Sequence, residues 1–221
     1  MYRSATDPYS FGYPHACDDC AILGSGSGRT LRVAPYLKVG GLFRLMLVGQ
    51  DPTVRKKPKR VKHVLMLDEP SGQLSRWLRD LFGPNKFERL TIYATNVVKC
   101  SFSKPPSDFD EGGLVFLSPY AEVCRQYLGR EVGAFQPDLV LTLGEPSHKL
   151  FRHVLDRPDV VGEDMKEAFT GLFVRASIGG VAFDYSPCLH IQTFRVAETY
   201  GKRVDSFRAG LTQRLRSIGS T

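Results

Sequence analysis

The chain has 221 residues, 42% hydrophobic and 24% charged, the balance of a soluble globular protein with room for one well-filled core. Arg or Lys interrupts every apolar stretch before the roughly 18 residues a membrane span needs, and residues 1–13 lack the charged start and apolar middle of a secretion signal. A cytoplasmic, monomeric protein without membrane contact is the expectation. Thirty Lys and Arg against 23 Asp and Glu give a net charge of +7, which favours a polyanionic partner such as nucleic acid through counterion release. Five cysteines without a secretion signal argue against a disulfide framework.

Residues 1–30, rich in Gly, Ser, Asp and Tyr, predict irregular structure that needs an external constraint. Residues 42–48 (LFRLMLV) predict a buried strand closing on Gly49. The basic stretch 55–62 follows as an exposed loop. Leu74, Trp77, Leu78 and Leu81 then have helical spacing, with Gly83-Pro84 as the stop. Residues 90–98 (LTIYATNVV) predict a second strand, and Pro105-Pro106 opens an insertion over 103–119. A helix is expected over 120–128, and a third strand over 138–143 that runs through Gly144 into a helix over 147–154. Residues 158–172 read as a loop or short helix, 181–185 as a fourth strand and 204–218 as a C-terminal helix. This alternation predicts one domain over 1–221, with helices on both faces of a parallel sheet. Ligands bind such sheets at the carboxyl ends of the strands, which here carry Gln50-Asp51, Asn96, Gly144-Glu145 and His190.

These residue types suit particular chemistry. Asp51, in a turn past a buried strand, can orient a water or stabilise a developing cation; equally, Asp before Pro is a common turn residue. The Asn96 amide offers a donor and an acceptor side by side, as a nucleobase edge requires, or it satisfies local backbone. His190 can donate to an oxyanion on a leaving group, or be structural. Cys17 and Cys20 form a C-x-x-C pair that, with distant Cys100 and Cys124, fits an iron–sulfur cluster or a four-cysteine zinc site; unrelated thiols are the bland alternative. Cys188 has apolar neighbours and reads as a buried thiol. Lys56, Lys57, Lys59 and Arg60 are placed to contact phosphates, or form a solvated loop.

Together these segments resemble the uracil-DNA glycosylase superfamily, particularly its iron–sulfur (family 4/5-like) members. The resemblance is carried by Cys17-Asp18-Asp19-Cys20, by Leu45-Met46-Leu47-Val48-Gly49-Gln50-Asp51-Pro52, by Ala94-Thr95-Asn96-Val97-Val98-Lys99-Cys100 and by Leu141-Thr142-Leu143-Gly144. It implies a three-layer α/β/α sandwich around a four-stranded, mostly parallel sheet. It also implies hydrolysis of the N-glycosidic bond of a flipped-out uracil or similar damaged base in DNA. Asp51 matches the residue that positions water, Asn96 the one that reads the uracil edge, and His190 the one that stabilises the departing base. Cys17, Cys20, Cys100 and Cys124 match the ligands of a [4Fe-4S] cluster, with zinc as the alternative metal.

The sequence departs from the family pattern in three places. The Gly49-Gln50-Asp51-Pro52 motif is closer to the cluster-free uracil enzymes, yet Thr53 stands where those carry a Tyr that blocks the thymine methyl. His63-Val64-Leu65-Met66 occupies the region of the expected base-stacking Phe, leaving Met66 to face the base. His190-Ile191-Gln192-Thr193 replaces a His-Pro-Ser run, which makes Phe194, Arg195 and Val196 candidates to fill the flipped base's vacancy. Three functions remain open: a monofunctional glycosylase of base-excision repair, a catalytically weak or inactive member that binds single-stranded or damaged DNA, and, as the weakest, a zinc-stapled α/β protein acting on a nucleotide.

Overall fold

The computed structural model describes residues 7–14, 33–52, 61–102, 104–110, 112–189 and 200–216. The described strands are β1 (Tyr36–Lys38), β2 (Arg44–Gly49), β3 (Thr91–Asn96), β4 (Leu139–Leu143), β5 (Val174–Ile178) and β6 (Val181–Cys188). The helices are α1 (Gln73–Phe82), α2 (Pro84–Glu88), α3 (Gly113–Phe135), α4 (Glu145–Arg152), α5 (Met165–Ala168) and α6 (Gly201–Arg214). They form one sheet in the order β1-β3-β2-β4-β6-β5. The inner strands β3, β2, β4 and β6 are parallel, as expected, and an antiparallel strand closes each edge. Among the described residues the sheet therefore has six strands rather than four.

Residue alternation explains why the sheet is covered on both faces. Leu45, Leu47, Ile92, Ala94, Leu139 and Leu141 face a layer containing Trp77 and Leu78 of α1 and Phe207 and Leu211 of α6. Their neighbours Met46, Val48, Tyr93 and Val140 face Leu128, Val132 and Phe135 of α3 and Leu150 and Phe151 of α4. The strands are thus apolar on both sides, which is why they read as continuous hydrophobic runs.

Several boundaries differ from the sequence expectation for local reasons. The edge strand β5 joins β6 through Gly179 (φ 57) and Gly180 (φ 77), a two-residue hairpin that only Gly adopts readily. Gly83 ends α1, but Pro84 opens α2, where its missing N–H has no helical partner to lose. The third helix is 23 residues long and absorbs the second half of the expected insertion. Pro119 lies in its second turn, deleting one backbone bond, while Ser118 Oγ donates to the Leu114 carbonyl at 2.7 Å.

Under the carboxyl end of β4, His148 is fully buried. Its Nε2–H donates to the Gly162 carbonyl at 2.9 Å, which leaves Nδ1 to accept from the Tyr185 hydroxyl at 2.7 Å. The Thr142 hydroxyl is 2.9 Å from the same Tyr185 oxygen. Burial lowers the His148 pKa from its ordinary 6.5, because the cation loses its water. The unfolded chain therefore takes up this proton first, and from pH 6.5 downward the group's contribution to stability falls; above that pH it is constant. Thermal unfolding of the parent and of His148→Gln should show a difference in Tm that is flat above neutral pH and shrinks below 6.5. Parallel curves at all pH would contradict this assignment.

Candidate active site

The loop after β2 leads toward β3 on one side of the sheet, and the loop after β4 leads toward β6 on the other. Their divergence opens a crevice at the carboxyl ends of the strands. A cleft of about 640 Å³ lies there, lined by Gly49 at the end of β2, Gln50 and Asp51 after it, Leu143 of β4 and Leu189 after β6. Its opposite wall comprises Leu65, Met66, Glu69, Ser71 and the start of α1, including Gln73, Leu74 and Arg76.

Parallel pairing of β2 with β3 sets Gly49 beside Asn96. The two exits are then laced together, since the amides of Val97 and Val98 donate to the carbonyls of Gly49 and Gln50, each at 2.9 Å. Asn96 is fully buried, and neither Oδ1 nor Nδ2 has a hydrogen-bond partner among the described residues. Leaving such a group unsatisfied costs about 1–3 kcal/mol, a cost that a ligand edge with one donor and one acceptor would remove. The carboxamide lies over Gly49: a Cβ there would stand 2.2 Å from Asn96 Oδ1 and 3.0 Å from Leu65 Cδ2. Asp51 is also buried, at 8% exposure, and borders the same cleft.

The far wall is strained. Leu65 (φ 60) and Met66 (φ 50) are consecutive non-glycine residues in the left-handed region, at roughly 1–3 kcal/mol each. The turn is held on both sides, with Val64 N donating to Ala34 O at 2.8 Å and Met66 N to His63 O at 3.0 Å. The strain turns two aliphatic side chains into the cleft where the sequence pattern leaves a stacking aromatic missing. Helix α1 starts at Gln73 with no side-chain cap on its N-terminus, so its leading amides add positive potential to this wall.

Cys100 and Cys124 are buried, at 3% and 4% exposure, and the amide of Lys99 donates to Cys124 Sγ at 3.5 Å. The Cys124 sulfur therefore lies against the turn that carries Cys100. No group of three or more potential metal ligands occurs among the described residues. Cys188 is fully buried, which pushes its thiol pKa up, and it is not disulfide-bonded. Cys17, Cys20, Thr53, Lys56, Lys57, Lys59, Arg60, His190, Phe194, Arg195 and Val196 lie outside the described residues.

The structure thus brings Gly49, Gln50, Asp51 and Met66 to one cleft, with Asn96 packed over Gly49. Leu65, Glu69, Gln73 and Arg76 line it too, and no motif in the sequence singles them out. The helical pattern carried no sign that α1 would point its first turn at the site. No described helix is long and apolar enough to cross a membrane.

The family model of the uracil DNA glycosylase superfamily matches residues 41–199. The match covers most of the chain, from before β2 to just short of α6, and the chain belongs to this superfamily. No curated protein matches the sequence. Membership makes the protein, at the family level, a DNA glycosylase, a hydrolase that acts on DNA.

The Gly49 contact gives a direct test of the site. Gly49→Ala must push the Asn96 carboxamide aside, and a displacement of about 1 Å at a reacting centre lowers rates by about 10²-fold. Base release should fall on that scale while DNA affinity is retained; parental rates would show that the Gly49–Asn96 contact is irrelevant to the site.

Proposed function

We propose that the protein releases uracil or a related deaminated base from DNA by hydrolysing its N-glycosidic bond, as a first step of base-excision repair. The observation that carries this reading is the fully buried Asn96 carboxamide, whose donor and acceptor both lack partners among the described residues beside a cleft bordered by Asp51. Uracil presents N3–H and O4 side by side, so Oδ1 can accept from the first while Nδ2 donates to the second. Reading an extruded base through its pairing edge is the logic of base flipping.

Asp51 orients a water toward C1′ and stabilises the positive charge that grows on the sugar as the C1′–N1 bond lengthens. The water oxygen bonds to C1′ as one of its protons passes to the Asp51 carboxylate, and the bonding pair leaves with the base as an anion. His190 would donate to that anion, and Thr53, one residue past Pro52, bears on selectivity against a methylated base. Lys56, Lys57, Lys59 and Arg60 would hold phosphates, and Phe194 or Arg195 would occupy the vacancy in the stack.

A [4Fe-4S] cluster on Cys17, Cys20, Cys100 and Cys124 belongs to the same proposal, with zinc as the competing metal. Two features support it. Cys124 Sγ accepts an amide hydrogen bond next to Cys100, the kind of contact that tunes cluster sulfurs. The N-terminal segment is also anchored nearby, with the Tyr13 ring 5.2 Å from Lys99 Nζ; from Pro14 to Cys17 is three peptide steps of at most about 3.8 Å each. Such a cluster would staple the N-terminal segment to β3 and α3, and the hydrolysis needs no electron from it.

The aliphatic wall of Leu65 and Met66 favours a second reading, a DNA-binding member with weak hydrolysis. Loss of aromatic stacking forfeits about 1–3 kcal/mol per base. Single-turnover assays on single- and double-stranded oligonucleotides carrying uracil, hypoxanthine or xanthine separate the two. The glycosylase reading expects alkali-sensitive sites and a loss of roughly 10²-fold or more in Asp51→Asn. Tight binding with no base release from any substrate supports the binding module instead. Iron and acid-labile sulfide in the brown purified protein are expected; a colourless zinc protein would contradict the cluster.

A further inference from the structure

Lys99 and Glu131 form an ion pair with both side chains fully buried. The Lys99 ammonium donates to Thr95 Oγ1 and to the Asn96 backbone carbonyl, each at 2.7 Å, and to Glu131 Oε2. Its three protons are thereby used. Glu131 Oε1 accepts from the hydroxyls of Tyr93 and Thr95, each at 2.8 Å. The Tyr13 ring covers the ammonium at 5.2 Å, and the Tyr13 hydroxyl donates to the Val33 carbonyl at 2.8 Å. Apart from the Tyr13–Val33 bond, each of these contacts ends on β3, on the turn after it, on α3 or on the N-terminal segment.

The position of this cluster matters more than its charge. Tyr93 and Thr95 face α3, whereas Asn96, one residue on, points to the opposite face and lies over Gly49. The Asn96 side chain makes no hydrogen bond within the described structure. Its orientation therefore depends on packing and on where the end of β3 is held. The ammonium grips that end through the Asn96 carbonyl, and the carboxylate ties the ammonium to α3. A buried ion pair is seldom a better source of stability than a hydrophobic pair of the same volume. The geometry points to a different use: Lys99 and Glu131 are positioning residues that fix the carboxamide of Asn96 for the incoming base.

This inference rests on Asn96 as the base-reading residue, so the experiment includes it. In Lys99→Met/Glu131→Leu both charges are removed together, which avoids stranding either one. The variant should unfold near the parental Tm and bind an abasic-site duplex, which presents no base edge, as the parent does. Its single-turnover base release should fall about tenfold or more, as expected when a reacting geometry is loosened. Adding the pair replacement to Asn96→Ala should cause no further loss, because both changes act through one carboxamide.

Full base release in the pair variant while Asn96→Ala is impaired overturns the positioning role and leaves the base-reading assignment standing. Losses that multiply in the triple variant overturn it too. Parental rates in Asn96→Ala remove the base-reading assignment and this inference with it. Should the pair variant not fold, Tyr93→Phe and Thr95→Val each remove hydroxyl contacts from the same cluster. Each is expected to slow base release in the parent and to be silent in Asn96→Ala; equal slowing in both backgrounds overturns the inference.

Discussion

The carboxamide of Asn96 occupies the space that any side chain at residue 49 would fill. That single contact depends on the register of two parallel strands, which sets Gly49 and Asn96 side by side where both strands end. A slip of one residue would turn Asn96 toward α3 and away from Gly49. A slip would also move Leu45, Leu47, Ile92 and Ala94 out of the layer they pack in, and the hydroxyls of Tyr93 and Thr95 away from Glu131. Core packing therefore fixes the position of the polar group, although that group contributes nothing to the core.

The same region concentrates features that weaken a fold. An amide is buried without partners among the described residues, and two aliphatic residues sit in left-handed backbone. A charge pair lies beneath them in the dry interior. Structures retain such features where function over-determines them. Leu65 and Met66 form one wall of the cleft and the Asn96 carboxamide packs over Gly49 of the other, so ligand binding is a common physical explanation for these two features. The aliphatic wall makes this cleft different in kind from one that stacks an aromatic on its base.

Much of the architecture was legible in the sequence because the inner strands are buried on both faces and read as unbroken apolar runs. The edge strands were not. Tyr36–Lys38 is three residues long and only partly buried, too short to show a period. Val174–Ile178 could have been found from the Gly179-Gly180 turn beside it. Helix α3 was read as less than half its length, since Pro119, Gly129 and Gly133 punctuate its pattern while packing against β3 and β4 sustains it. At the site, Gly49, Asp51 and Asn96 stood out because strand ends are where such residues act. Lys99 and Glu131 did not stand out: a lysine or glutamate in a sequence reads as surface, and only the tertiary arrangement places both in the interior.

The most direct measurement is a crystal structure of Asp51→Asn bound to uracil-containing DNA, in which slowed hydrolysis would trap the intact substrate. The account predicts an extruded base in the cleft between Gly49 and Leu189, its N3–H and O4 within hydrogen-bond distance of Asn96 Oδ1 and Nδ2. A base held elsewhere, or an Asn96 carboxamide that bonds to the protein's own groups and ignores the base, would contradict it.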